Sequence, residues 1–243
     1  MAILLLFDGT GEADDEVYRR DFHDGFLRRI YRNYSNQRHY WRGPSLFGME
    51  CDETMFEAAR RISDGANHDL IIAGYSRGGA IEIALCYHIQ RRNLYPRPLE
   101  MMGTMRIPLL ILFDAVNRST ELSISDTATI PNIVENCIHV RRDPVVESRW
   151  YFGNCGMDAE AGVNFITSTF FCTHAAMGGT PWTGDHPTRS RRIPDTSSWQ
   201  RDFRTVYEPT ITREQDVAGS LAVQRFVNQK IQALGFATDN LQI

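Results

Sequence analysis

The chain has 243 residues, is 42% hydrophobic and 23% charged, and carries a formal net charge of −4. Such a chain is long enough to bury a sizeable core and suits one soluble α/β domain, since these domains reach about 250 residues. No large basic excess is present to neutralise phosphates, which excludes nucleic acid as an expected partner.

Residues 3–7 form an apolar run ending in Asp8-Gly9-Thr10-Gly11, a fully buried strand followed by a glycine-bearing turn. Residues 12–38 are polar and aromatic; Phe22, Phe26, Leu27 and Ile30 predict a helix over about 21–33. Tyr40-Trp41-Arg42-Gly43-Pro44 reads as a break in regular structure. A helix over about 53–63 follows, capped by Asp52, ended near Gly65, with Met55, Ala59 and Ile62 on one face. Residues 70–73 have the length and composition of a buried strand. The chain then runs through Gly74-Tyr75-Ser76-Arg77-Gly78 into helical spacing at Ala80, Ile83, Ala84 and Tyr87.

A loop holding Pro96 and Pro98 precedes a third buried strand, 107–113, which delivers Asp114 at its carboxyl end. Residues 117–132 read as loop. A fourth strand, 136–140, leads to Arg141-Arg142-Asp143-Pro144. A β-prone run, 168–172, leads to Thr173-His174 and then Gly178-Gly179. Residues 175–211 read as an irregular loop. Thr212 and Gln215 match a capping box. The closing helix, about 213–234, carries Val217, Leu221, Val223, Phe226, Val227, Ile231 and Leu234, with Gly235 after its last turn.

Buried strands alternating with helices predict a single-domain three-layer α/β sandwich over residues 1–243, with a mostly parallel sheet. In such sheets ligands bind beyond the carboxyl ends of the strands. The 8–11 turn, Ser76, Asp114, Asp143 and His174 are all expected on that edge.

Gly-x-Ser-x-Gly between a strand and a helix is the pattern of a nucleophile elbow. The sharp turn lifts the serine Oγ clear of the sheet, and the glycines let strand and helix approach closely. The Arg77 N–H would point from a helix N-terminus to where an oxyanion forms, and Gly9 or Thr10 would supply the second donor. The bland alternatives are a tight turn that happens to hold a serine, and a glycine turn capped by Asp8.

A serine needs a base, and the base an orienting acid; on this topology they follow in the order Ser, Asp, His. His23, His39 and His68 precede Ser76, while His88 lies on the elbow helix and His139 within a strand. His174 and His186 remain, and His174, directly after a strand, is the expected base. Asp114 and Asp143 both end strands; Asp114 is favoured because its strand is the stronger and presents it immediately. A strand-end aspartate that merely caps a turn is the alternative for either.

Taken together, Leu6-Phe7-Asp8-Gly9-Thr10, Tyr40-Trp41-Arg42-Gly43, Gly74-Tyr75-Ser76-Arg77-Gly78-Gly79, Phe113-Asp114-Ala115-Val116, His139 with Arg141-Arg142-Asp143, and His174 with Gly178-Gly179 form an ordered series. The series resembles the α/β-hydrolase group known as DUF2235, with its Gly-Phe-Ser-Arg-Gly elbow, and is similar to the Tle1-type phospholipase effectors of type VI secretion. The resemblance implies Ser76 as nucleophile, His174 as base, a strand-end aspartate as orienting acid, and hydrolysis of carboxylic esters, including phospholipid esters. Tyr75 and Gly79 stand where that group usually has Phe and Ala, and Ala176 stands near where an Asp often follows the histidine. The extra membrane-docking domain of the effectors is not expected among these 243 residues, which bears against a lipid substrate.

Five cysteines without CxxC spacing suggest neither a disulfide framework nor a zinc site. Reduced thiols fit better. The N-terminal apolar run is too short for a signal peptide, and no stretch approaches the roughly 20 residues of a membrane span. A cytoplasmic location is expected, with export by a specialised secretion system left open. No metal or organic cofactor is implied; the expected partner is a small-molecule or lipid ester substrate. Phe22, Phe26, Tyr31, Tyr34, Tyr40, Trp41 and Phe47, with the 181–199 loop, form either a lid or ordinary packing. A catalytically inactive hydrolase-fold module, serving binding or a toxin, is the reading from another class.

Overall fold

The computed structural model describes residues 2–11, 13–45, 49–63, 69–91, 105–146, 148, 153–181, 211–236 and 241–243. Among them a six-stranded, wholly parallel sheet is flanked by helices on both faces. Its strands are β1 (Ile3–Phe7), β2 (Arg38–Trp41), β3 (Asp69–Tyr75), β4 (Arg106–Phe113), β6 (Asn136–Arg142) and β8 (Asn164–Phe170), in the order β2-β1-β3-β4-β6-β8. Two short strands, β5 (Thr129–Ile130) and β7 (Asp158–Ala159), pair apart from it. The helices are α1 (Asp15–Asp21), α2 (Phe26–Asn33), α3 (Cys51–Ser63), α4 (Arg77–Arg91), α5 (Ser125–Ala128), α6 (His174–Met177) and α7 (Arg213–Ala233).

The layering follows from strand periodicity, since successive side chains point to opposite faces. On one face Ile3, Leu5 and Phe7 join Leu70, Ile72, Leu110 and Leu112 beneath α3 and α4. On the other, Leu4, Leu6, Ile71, Ala73, Ile111 and Phe113 pack against α2 and α7. With both faces covered, the inner strands read as continuous apolar runs.

Register decides what reaches the functional edge. Phe7 pairs with both Trp41 and Gly74, Tyr75 with Phe113, and Phe113 with Val140. Asp8, Ser76 and Asp114 therefore leave adjacent strands at nearly one level. The strand order reverses between β1 and β3, so the Asp8 turn and Ser76 flank the switch point, where ligands of open parallel sheets bind.

Several elements differ from the sequence-based expectation. The helix predicted over 21–33 is two helices, α1 and α2, with a turn between. The Phe26 N–H is taken by Gly178 C=O at 2.8 Å, a tertiary bond that restarts the helix there. Asp14, whose carboxylate caps α1 at Glu16 and Val17, gave an unread start signal. The predicted break at Tyr40 is an edge strand, β2, whose half-buried Arg, His and Tyr hid it. β8 begins four positions before the expected 168 because its ladder to β6 starts at the Asn136–Asn164 pair. Within 117–132 lie α5 and β5. The capping box of Thr212 and Gln215 is present, and Gly235 has φ 81°. The inward face of α7, however, is Asp216, Ser220, Val223, Val227 and Ile231, while Leu221 is exposed.

All five cysteines are buried and free. No helix of the described residues is long and apolar enough to cross a membrane.

Candidate active site

Ser76 sits between β3 and α4 with φ 56°, in the left-handed region that a non-glycine residue enters only under local constraint. The constraint is visible. Its N–H donates to Phe113 C=O at 3.0 Å, and its own carbonyl accepts from Gly79 N–H (3.1 Å) and Val116 N–H (3.0 Å). The elbow is thus tied to the segment that follows β4. A Cβ on Gly78 would lie 2.0 Å from Phe7 O, so only glycine lets α4 start this close to β1.

The two other members predicted from sequence meet the serine. His174 Nε2 lies 2.9 Å from Ser76 Oγ, and His174 Nδ1 lies 2.6 Å from Asp114 Oδ2. These partners imply the tautomer in which Nδ1–H donates to the carboxylate and Nε2 accepts from the hydroxyl. Ser76, Asp114 and His174 are all buried.

Asp114, too, has a positive φ, 47°, immediately after β4. Its fully buried carboxylate accepts from the Asn154 amide at 2.7 Å and from the Arg142 N–H at 3.3 Å, and forms an ion pair with the Arg142 guanidinium. Burial pushes this carboxyl up. The hydrogen bond and charge of His174, the Arg142 guanidinium and the Asn154 amide outweigh it and hold Asp114 well below the usual carboxylate range. An ionised carboxylate at this distance holds the ring in one tautomer and is placed to stabilise an imidazolium if one forms.

His174 opens α6, and its backbone is held on every side. Ser148 Oγ accepts its N–H at 2.8 Å, and Tyr75 OH donates to its carbonyl at 2.9 Å. The cap residue Thr173 is anchored through its N–H (2.6 Å) and hydroxyl (3.1 Å) to Asp216, buried on α7. The Tyr75 ring packs on the imidazole at 5.1 Å between centroids. The closing helix thereby sets the position of the candidate base.

Beside the serine runs the 8–11 turn: a Cβ on Gly9 would stand 3.2 Å from Ser76 Cβ. Of its proposed oxyanion donors, Gly9 N–H is engaged, donating to Asp8 Oδ1 at 2.8 Å. Of the two expected alternatives for the second donor, Gly9 or Thr10, this bond to the neighbouring carboxylate favours Thr10. Thr10 N–H has no acceptor among the described residues, and the Thr10 hydroxyl accepts from Arg77 Nη1 at 3.1 Å. The Arg77 N–H opens α4.

The competing candidates lie elsewhere. Asp143 Oδ1 accepts from Val145 N–H at 2.9 Å, capping the short 3₁₀ turn Pro144–Val146. His139 faces Gly156 C=O at 3.0 Å and is kept neutral, its burial lowering it to about 4. His88 sits against Phe56. His186, Phe47 and nearly all of the 181–199 loop lie outside the described residues. The described aromatic residues of the supposed lid pack on the sheet: Trp41 stacks on Phe7 at 4.8 Å and Phe26 meets Phe113 at 5.4 Å.

Sequence reasoning missed Arg142, Ser148, Asn154, Thr173 and Asp216. Arg142 alone carried a signal, as a cation at a strand end beside strand-end acids. Among the described residues no group of three or more His, Cys, Asp or Glu is placed to hold a metal ion.

No protein-family model and no curated protein matches the sequence. The similar solved structures include two at 12% identity. One is an uncharacterized protein from Pseudomonas aeruginosa (TM-score 0.43, covering 73% of this chain and 41% of that one). The other is the Tle1 effector bound to the VgrG spike from the Type 6 secretion system (TM-score 0.44, covering 97% and 61%). The chain thus spans less than two thirds of either. These similarities do not show membership of a family; the fold, a six-stranded parallel sheet flanked by helices, stands on its own strand order and pairing.

Proposed function

We propose that the chain is a serine hydrolase of carboxylic esters. The observation that carries this reading is one continuous relay, with Ser76 Oγ 2.9 Å from His174 Nε2 and His174 Nδ1 2.6 Å from Asp114, on a serine held at positive φ. Few structural roles require a buried hydroxyl, imidazole and carboxylate in series on strained backbone.

Ser76 Oγ attacks the ester carbonyl as His174 Nε2 takes its proton. The carbonyl oxygen becomes an oxyanion, received by the backbone N–H groups of Arg77 and Thr10. Collapse breaks the bond to the alcohol, which leaves with the proton from His174. Water, deprotonated by the same imidazole, then attacks the acyl-enzyme and releases the acid with Ser76 restored. Asp114, ionised beside Arg142 and Asn154, holds the ring throughout.

The finer reading, a lipid or phospholipid acyl ester, draws on the sequence resemblance to DUF2235 and the Tle1-type effectors. A p-nitrophenyl ester panel of graded chain length, run beside phospholipid vesicles, tests it; fastest turnover of the acetyl ester would reject the lipase form. The hydrolase reading itself is tested by Ser76→Ala, which should lower kcat about 10⁶-fold if the three groups act as a unit. A fluorophosphonate probe should label the native protein at Ser76. Full ester turnover by Ser76→Ala, or no labelling, would leave the inactive binding module as the better account.

A further inference from the structure

Across the switch point from Ser76, at the end of β1, lies a second buried carboxylate that the mechanism above does not use. Asp8 is 3% exposed. Its Oδ1 accepts the Gly9 N–H at 2.8 Å and its Oδ2 accepts the Tyr40 hydroxyl at 2.6 Å. The Gly9 carbonyl accepts from Tyr18 OH at 2.8 Å, and that hydroxyl accepts from Gly43 N–H at 2.8 Å. A Cβ on Gly43 would fall 1.8 Å from Gly9 O, so the segment after β2 and the turn touch through bare backbone. Arg77 Nη1 then ties Thr10 Oγ1 to Ser45 C=O, at 3.1 Å each. Both polar groups of the Gly9 backbone are thus taken by side chains. The Thr10 N–H, by contrast, has no acceptor among the described residues.

We propose that Asp8 and Tyr40 are positioning residues for the oxyanion, clamping the 8–10 turn so that Thr10 N–H, with Arg77 N–H, meets the carbonyl oxygen of an ester attacked by Ser76. The proposal rests on the ester-hydrolase reading. An ionised carboxylate is acceptor-only at both oxygens and can hold Gly9 N–H and Tyr40 OH together, whereas a protonated one carries a competing donor.

The surroundings argue against a purely structural acid. The groups facing Asp8 are Tyr40 from β2, Tyr18 from α1 and, at longer range, Arg28 from α2, whose guanidinium lies over the Tyr40 ring at 3.7 Å. Among the described residues no cation forms an ion pair with Asp8. Burial, only partly opposed by Tyr40, Gly9 N–H and Arg28, pushes its carboxyl up to about 6. A neutral side chain of the same shape would avoid that burial cost. Keeping an ionised group where it destabilises the fold is the mark of a site residue.

The test compares wild type, Ser76→Ala, Tyr40→Phe and Asp8→Asn on p-nitrophenyl butyrate, with an alkylboronic acid as the tetrahedral mimic and melting at pH 8. Tyr40→Phe and Asp8→Asn should each lower kcat by roughly 10- to 100-fold, somewhat less than deleting an oxyanion donor outright. KM should stay within about 3-fold, because the ground-state carbonyl barely feels the donor. Affinity for the boronic acid should fall in step with kcat, while Asp8→Asn melts no lower than wild type. The proposal is overturned if both variants keep kcat within about 2-fold, if kcat falls while boronate affinity is unchanged, or if Asp8→Asn loses activity only together with melting temperature. Should Ser76→Ala be as active as wild type, the hydrolase reading falls and takes the proposal with it. A dead Ser76→Ala beside active Asp8 and Tyr40 variants rejects the proposal alone.

Discussion

Asp8 and Asp114 occupy equivalent places, each the first residue past a buried parallel strand, each nearly or fully inaccessible, on the same edge of one sheet. Their electrostatics are opposite. Asp8 is surrounded by hydroxyls and a backbone amide, and burial drives it up to about 6. Asp114 meets an imidazole, a guanidinium and an amide, which together overcome the same burial and hold it well below the ordinary range. Burial alone therefore does not set the protonation state of a strand-end acid; the charge of its partners does. A position in the fold offers a carboxylate to the edge, and neighbours from distant parts of the chain decide what it is for.

The largest effect that would break this comparison concerns Asp114. Asp114→Asn should reduce kcat by about 10⁴-fold, because an amide at this position favours the wrong imidazole tautomer. It should also remove the buried ion pair with Arg142, lowering stability by about 3–5 kcal/mol and the melting temperature by roughly 10 °C at neutral pH. Because the folded-state value of Asp114 is depressed, its contribution is present above the unfolded value of 3.8 and is lost as pH falls below it. The stability gap between wild type and variant should therefore narrow only below about pH 4. A gap that is constant from pH 3 to 8 would contradict the electrostatic account.

Asp8→Asn should move stability the other way. The folded value of Asp8 is raised above its unfolded 3.8, so its favourable term is complete below that value and is lost as pH climbs through about 6. The asparagine variant should therefore gain up to about 3 kcal/mol at pH 8 over wild type, and nothing at pH 3. Urea titrations at the two pH values measure this directly. Destabilisation at both would show that the carboxylate is structural.

Glu82, on α4 beneath the elbow, extends the series to an acid with no hydrogen-bond partner among the described residues. Both of its carboxylate oxygens lack hydrogen bonds among the described residues, and burial alone raises it well above the ordinary range. Glu82→Met, similar in volume, should stabilise by about 1–2 kcal/mol at neutral pH, the gain growing as pH rises above the unfolded value. Thermal melts at pH 5 and 8 check the sign; a lower melting temperature at pH 8 would point to a hidden partner.

The smallest effect is expected at Asp143. With its carboxylate capping Val145 N–H rather than facing the imidazole, Asp143→Asn should keep kcat within about 2-fold and stability within about 0.5 kcal/mol. Loss of activity only in this variant would shift the orienting acid one strand along.

How much of this was legible beforehand varies with the range of the interaction involved. The inner strands β1, β3 and β4 were readable because strands covered on both faces must be apolar at every position. The elbow was readable because its glycines, serine and flanking elements lie within one short stretch. Ser76, Asp114 and His174 could be chosen by residue type and position relative to predicted strand ends. Edge strand β2 was not legible, since Arg38, His39 and Tyr40 are only half-buried and carry no clear apolar pattern. Asp216 and Ser220 were hidden on α7 because polar residues at helix positions are read as solvent-facing.

By itself, then, the sequence determined a parallel α/β sheet and the residue types standing at the carboxyl ends of its strands, since both follow from local periodicity and chain order. Only the tertiary structure decided which of those groups share partners. Arg142 and Asn154 reach Asp114 across 28 and 40 positions of chain, and Asp216 reaches Thr173 across 43. Tyr40 reaches Asp8 across 32 because β2 lies beside β1 in register. Which partners a buried acid meets depends on charges and donors brought together by register and helix packing, and no local pattern encodes those.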